Sequence, residues 1–211
     1  LAAGLGGGSL TDAAQLHPVY RNTMMICAGL MVAGAVLAFL LVPTRLGGRG
    51  AGFADYAAVA YELARGNGAT ALIFNMHASV TGALSGVTDE LADALGLPPE
   101  ALEARDAHLK AAANGSWYAV AMSERGAGSR LSQLSTMYEK VDGGSHIKGA
   151  KTFCSGAGHA DAYLVAARSA ADPSQVSQFL VPPGGGLRVE EPWDALGMRA
   201  TGSHGQDVDA T

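Results

Sequence analysis

Residues 118–130 read YAVAMSERGAGSR, and the fold turns on how this stretch is read. It begins as an alternating apolar strand and ends in two glycines that flank an alanine. Three chemistries use such a segment: a phosphate-cradling loop, a serine nucleophile beside a glutamate, and a backbone platform for a cofactor. The chain contains no G-x-x-x-x-G-K-[ST] and no serine with glycines two before and two after it. Neither a P-loop nor a nucleophile elbow is therefore present, and the platform reading is left.

Upstream of this stretch the periodicity is helical. In FADYAAVAYELAR, Phe53, Tyr56, Ala57, Ala60, Tyr61 and Ala64 recur on one face. A second apolar helix is expected at about 69–85, a short one near 88–95, and a more charged one from Pro99 to about Ala113, with GLPPE breaking the last two. GNGATA at 66–71 fits G-x-G-x-x-A, but it follows a helix where a dinucleotide fingerprint needs a strand. It reads as a helix end and turn, and His77 beyond it as a packed histidine. Downstream the period changes to two. Leu134, Thr136, Tyr138 and Lys140 alternate with Ser135, Met137, Glu139 and Val141, and DGGS after them signals a hairpin. Further strands are expected near 150–155, 161–168, 177–182 and 204–209. Helices first and antiparallel strands second make an α+β chain with a boundary near Asn114–Ser116.

The 211 residues are 48% apolar and 16% charged, enough to build a core, with a net charge of -5. Basic residues are scattered, which excludes a nucleic-acid surface as the main partner. Cys27 and Cys154 are the only cysteines and have no metal-ligand spacing. Two reduced thiols and no metal site follow. The first 23 residues, with LAAGLGGGSL at their start, read as a flexible lead-in. Met24–Val42, MMICAGLMVAGAVLAFLLV, has 19 residues without a charge. That is close to the roughly 20 residues that cross a bilayer core, and Gly29, Gly34 and the alanines equally suit a buried helix.

Four stretches occur in order: YAVAMSERGAGSR at 118–130, GAKTFCSGAGHADAYLVAAR at 149–168, FLVPPGGG at 179–186 and LGMRATGS at 196–203. Together they resemble the acyl-CoA dehydrogenase family, with its T-E-P-x-x-G-S-D, G-x-K-x-W-I-T/S-N, F-L-V and L-G-M-R-x-S/T motifs. LVPTRLGGRG and VAYELAR are similar to that family's helical N-terminal domain, so the resemblance covers about residues 41–211. It implies a partial helical N-terminal domain at 43–115 and a truncated antiparallel β-barrel middle domain at 116–211. The family's C-terminal four-helix domain is absent from this sequence, and the chain reads as a fragment or a fusion. HPVYRNTMMICAGLMVAGAVLAFLLVP resembles the last membrane helix of a major-facilitator-type transporter.

The resemblance also implies a cofactor, FAD, and an acyl-CoA substrate. Val120, Met122 and Ser123 are placed at the flavin, Met122 and Ser123 on its pyrimidine side. Ser129 falls near the FAD phosphates and the acyl-CoA, Phe153 beside the isoalloxazine, and Ser155 near its N4/N5 edge. Glu124 is structural in the family, whose base lies in the C-terminal domain, so no catalytic residue is expected in this chain. Arg125, Arg130, Phe153 and Gly156 stand where the family has proline, aspartate, tryptophan and asparagine. The two arginines fit either an anionic ligand or a solvated surface. The function implied is α,β-dehydrogenation of an acyl-CoA thioester with hydride transfer to flavin N5. An electron-accepting flavoprotein or other acceptor, a homo-oligomer and a cytoplasmic location go with it, with membrane association if 24–42 is an anchor. A flavin monooxygenase of the same fold and a non-catalytic membrane-tethered remnant are the alternatives.

Overall fold

The computed structural model describes residues 39–211. Four helices come first: α1 (Phe53–Gly66), α2 (Gly68–Gly86), α3 (Asp89–Leu95) and α4 (Pro99–Ala113). Their ends are written in the sequence. Asn67 closes α1 and caps α2, its side chain accepting from the Thr70 amide at 3.0 Å. GNGATA is thus a helix junction, as its position after a helix requires. Thr88 caps α3, Gly96 ends it in the left-handed region, and Pro99 opens α4 where a missing N–H does no harm. Residues 24–38 of the apolar run lie outside the described residues. Among the described residues no helix is long and apolar enough to cross a membrane.

Seven strands follow: β1 (Tyr118–Ala121), β2 (Met137–Val141), β3 (Gly144–Cys154), β4 (Ala162–Ser169), β5 (Val176–Val181), β6 (Leu187–Glu191) and β7 (His204–Ala210). They form one sheet in the order β1-β4-β2-β3-β7-β6, with β5 on β4. The expected helices-then-strands order holds, but the sheet is mixed where a wholly antiparallel one was expected. β1 and β2 both run parallel to β4, while the remaining pairs are antiparallel. The cause lies in β4. Tyr118–Ala121 pairs with Ala162–Val165, and Met137–Tyr138 pairs with Arg168–Ser169 on the same edge. Two strands in line share one edge, and the chain between them swings out as the opening motif.

Strand β6, which follows the PPGGG turn and stops before Pro192, is not among the strands expected from the alternation. Residues 134–136 were expected in a strand, yet β2 starts only at Met137. The amides of Ser135 and Thr136 are taken by the Glu124 carboxylate instead of a ladder.

Two apolar clusters hold the halves together. One lies within the sheet, around Ala119, Tyr138, Ile147, Tyr163, Val165 and Val208. The other joins helices to sheet through Val42, Leu46, Val80, Leu109, Ala112, Tyr118 and Ala162. Each large side chain so buried contributes about 1.5–3 kcal/mol. At the seam, buried His77 of α2 stacks on Tyr118, and its Nδ1 accepts the Tyr118 amide at 3.0 Å. This is the packed histidine that the sequence suggested, and it orients β1 against α2.

Candidate functional site

The outward swing between β1 and β2 is built around Glu124. A short antiparallel bridge pairs Glu124 with Gly128 through two backbone hydrogen bonds, 2.9 and 2.8 Å. Gly126 and Gly128, at φ 81° and 61°, make that reversal in a conformation that disfavours any side chain. The Glu124 carboxylate points inward and is only 3% exposed. Its Oε2 accepts the Ser135 amide and hydroxyl at 2.5 and 2.6 Å, and its Oε1 accepts the Thr136 amide at 3.0 Å and Lys151 Nζ at 2.7 Å. Lys151 also donates to the Ala166 carbonyl at 2.6 Å. Ala166 sits on β4 between the stretches paired to β1 and β2, so the buried ammonium fills the break in the ladder.

Burial alone would raise the Glu124 pKa, but Lys151, Ser135 and Thr136 reverse this and bring it down to about 2. Burial pulls the Lys151 pKa down, and Glu124 works against that shift. A carboxylate so placed stays ionised at neutral pH and has its lone pairs engaged. It is a fastener and not a base, as the resemblance implied.

The other end of the site is the exit of β3. Thr152 donates its amide to the Ser123 carbonyl at 2.8 Å, which sets the ends of β1 and β3 side by side. That bond brings Ser123, just past the end of β1, beside Thr152, the neighbour of Phe153. Val120, Met122 and Ser123 are partly exposed. Ser129 lies on the exposed outer limb of the 124–130 loop, together with Arg130. Phe153 is 61% exposed and sits at φ 57°, in the left-handed region. For a bulky residue that conformation is strained by roughly 1–2 kcal/mol. Its ring meets Trp193 edge-on, centroids 5.8 Å apart.

Ser155 is 4% exposed, and its hydroxyl turns inward to Ser203 Oγ at 2.9 Å. Ser203 continues to Thr201 Oγ1 at 2.7 Å, and Thr201 donates to the Met198 carbonyl at 2.8 Å. The Gly156 amide also binds the Thr201 carbonyl, at 2.7 Å. Nothing in the spacing of LGMRATGS and TFCSG announces a shared hydroxyl chain, because the two lie 48 positions apart at Ser155 and Ser203. Gly156 has its own reason. A Cβ there would lie 2.0 Å from the Trp117 ring at φ 79°, so the asparagine of the family pattern does not fit.

Cys154 is a buried free thiol that burial pushes up to about 12, which removes it as a nucleophile. Among the described residues no group of histidine, cysteine, aspartate or glutamate could hold a metal. A groove of about 560 Å³ opens on the helical side between Leu41, Phe53, Tyr56 and Asn75 and Ser79 of α2, and none of Val120, Met122, Ser123, Ser129, Phe153 and Ser155 lines it.

Sequence comparison gives the setting for this geometry. The family profile described as acyl-CoA dehydrogenase, middle domain, matches residues 119–209, and that described as acyl-CoA dehydrogenase, N-terminal domain, matches residues 13–95. The second match begins upstream of residue 41, where the motif resemblance started, and runs through the apolar stretch. YdbM of Bacillus subtilis (strain 168), named as an acyl-CoA dehydrogenase, is 32% identical over 166 residues, covering 78% of this chain and 41% of that protein. The mitochondrial isovaleryl-CoA dehydrogenase of Oryza sativa subsp. japonica is 28% identical, covering 77% of this chain and 38% of that protein. Among solved structures, FMN-bound TdsC from Paenibacillus sp. A11-2 superposes with a TM-score of 0.69 at 25% identity, covering 83% of this chain and 42% of that one. The chain thus spans about two fifths of the length of these relatives. It belongs to the acyl-CoA dehydrogenase family.

Proposed function

We propose, with that membership as premise, that the ends of β1 and β3 form one wall of an FAD site in an oxidoreductase that removes hydrogen from the α and β carbons of an acyl-CoA thioester. The observation that carries this reading is Phe153. A strained, exposed aromatic ring at a strand end offers a flat apolar face to a flat ring system. The family relation supplies the identity of that ring system as FAD. Bound FAD supplies the acceptor for the hydride that leaves the β carbon.

The chain's own residues have narrower tasks. Phe153 covers one face of the ring and excludes water from it. Met122 and Ser123 meet its pyrimidine side, and Ser155 lies toward the N4/N5 edge. Ser129, on the exposed limb of the loop, is assigned to the phosphates of FAD and the acyl-CoA. Glu124 and Lys151 hold the loop that presents these groups. The base that takes the α proton is a carboxylate other than Glu124. An acyl-CoA substrate, an electron acceptor such as a second flavoprotein, and a homo-oligomer belong to the same reading.

A second reading is supported by the likeness to TdsC, described in another of its structures as dibenzothiophene monooxygenase. In that case the same wall serves a flavin that reacts with oxygen. One experiment tests the site and separates the chemistries. The full-length protein is titrated with FAD by fluorescence quenching, then mixed anaerobically with acyl-CoA thioesters. Bleaching of the flavin by a thioester supports dehydrogenation. Absence of bleaching, with oxygen consumed once the flavin is reduced chemically, supports the monooxygenase. Failure of Phe153→Ala to weaken FAD binding overturns the site in either form.

A further inference from the structure

Phe153 owes its outward aim to a bulge. Lys151 pairs with Gln206 and Cys154 with His204, so β3 carries one residue more than β7 between these rungs. Strict alternation would send the Phe153 ring to the buried face that Lys151 occupies, whereas the extra residue throws it outward, 61% exposed. Cys154 returns inside, fully buried. An exposed aromatic side chain on such a bend turns about two bonds, and a ligand that stacks on it must stop that motion.

One neighbour is placed to stop it beforehand. Past β6 the chain returns to the exit of β3, and the Trp193 indole meets the Phe153 ring at 83° with centroids 5.8 Å apart. Trp193 is itself anchored at both ends. Its backbone amide donates to His204 Nδ1 at 2.7 Å, and His204 is the residue paired with Cys154, next to Phe153. Its ring Nε1 donates to the Met198 carbonyl at 3.0 Å. Arg199 closes the turn between these anchors, donating to Asp194 at 2.7 Å and to the Ala195 carbonyl at 2.9 Å. Hydrogen bonds hold the indole, and the indole restrains the phenyl ring. An edge-on contact does this while leaving a face of Phe153 open, in keeping with its exposure.

We infer that Trp193 is a positioning residue that fixes the orientation of the Phe153 ring before FAD binds. The inference rests on the FAD site proposed above, because Trp193 acts through Phe153 alone. A ring held in place beforehand loses less freedom on binding, and the difference appears as affinity.

The test is FAD affinity of the full-length protein, followed by quenching of flavin fluorescence. Trp193 is only partly buried, so its replacement spares the core. Trp193→Leu and Trp193→Met, which remove the ring at two different side-chain shapes, should each weaken FAD binding about fivefold. Trp193→Phe keeps an aromatic edge against Phe153 and should stay within about twofold of the parent. In a chain that already carries Phe153→Ala, adding Trp193→Leu should change the affinity no further, because the ring to be positioned is gone. A merely structural role would weaken binding equally in both backgrounds. Parent affinity in both Trp193→Leu and Trp193→Met, or the same loss with and without Phe153→Ala, overturns the inference alone. A loss in Trp193→Phe equal to that in Trp193→Leu also overturns it, since the effect would then lie in the Nε1 hydrogen bond and not in the ring pair. Unchanged FAD affinity in Phe153→Ala overturns the site on which it rests.

Discussion

Two buried polar centres sit in the one sheet, and they are built to opposite ends. At Glu124 every lone pair of the carboxylate meets a donor, and the facing ammonium is split between Glu124 and Ala166. At Ser155 the donors all run one way and end on a backbone carbonyl, which leaves one oxygen uncommitted. Charge is enclosed at the first centre. Only neutral hydroxyls are linked at the second, and all of them are buried. The contrast teaches that the ionised residue in a motif is not thereby its reactive one; a carboxylate with every lone pair taken is a fastener.

The largest test of this contrast is Lys151→Met. It leaves a buried carboxylate without its cation, and breaking such a pair costs about 3–5 kcal/mol. Urea unfolding should show the loss, and adding Glu124→Gln to the same chain should recover part of it. A loss below about 1 kcal/mol would place Glu124 in effective contact with water. The pH dependence follows the same pair. The carboxyl of Glu124 is held below its unfolded value, so its stabilisation is complete above the ordinary carboxylate range. It is lost as pH falls toward the folded value of about 2. Thermal unfolding between pH 5 and pH 2 should steepen because of Glu124, and Glu124→Gln should flatten that part of the curve.

Gly156→Ala comes next. The added methyl meets Trp117 in a conformation that alanine disfavours, which should cost about 1–3 kcal/mol in chemical denaturation. Phe153→Gly has the opposite sign for the fold. Relief of the left-handed backbone should leave the apoprotein as stable or up to about 1 kcal/mol more so, while FAD affinity drops about tenfold or more, an aromatic contact being worth about 1 kcal/mol or more. A residue that weakens the fold and serves binding is what a ligand-facing position predicts; loss of both together would make Phe153 an ordinary packing residue.

The smallest effect is on the outer face. His146 lies between Asp209 at 2.7 Å and Glu139 at 3.5 Å, with Lys148 also at Asp209. The Asp209 hydrogen bond raises the His146 pKa. Its stabilisation is therefore complete below the unfolded histidine value and is lost as pH rises through the folded one. A slightly lower Tm at pH 8 than at pH 6, removed by His146→Gln, is the expected outcome.

Much of the scaffold was legible before any coordinates. Helix ends were marked by GNGATA at 66–71, by the GLPPE break and by Pro99, and the hairpin by DGGS, because turns and helix ends are local chemistry. The motif order pointed to the family. Strand sense was not legible. Which edge of β4 receives β1 and β2 depends on contacts between segments remote in the chain, and alternation reads the same in either direction. Ser135 and Thr136 misled for a related reason. Their alternating pattern is that of a strand, but a carboxylate eleven and twelve positions away takes their amides. The hydroxyl chain left no trace in spacing at all.

The shared edge of β4 has a consequence for how this architecture tolerates change. β1 and β2 each find their register on β4 independently, through Tyr118–Ala121 at one end and Met137–Tyr138 at the other. Insertions or deletions in the exposed 129–133 limb, beyond the Glu124–Gly128 bridge, need not propagate into either pairing, provided Glu124 still reaches Lys151. A loop with both ends anchored and its length unspecified is a natural place to graft a different recognition surface. Redesign of ligand preference could therefore begin there without disturbing a single rung of the sheet.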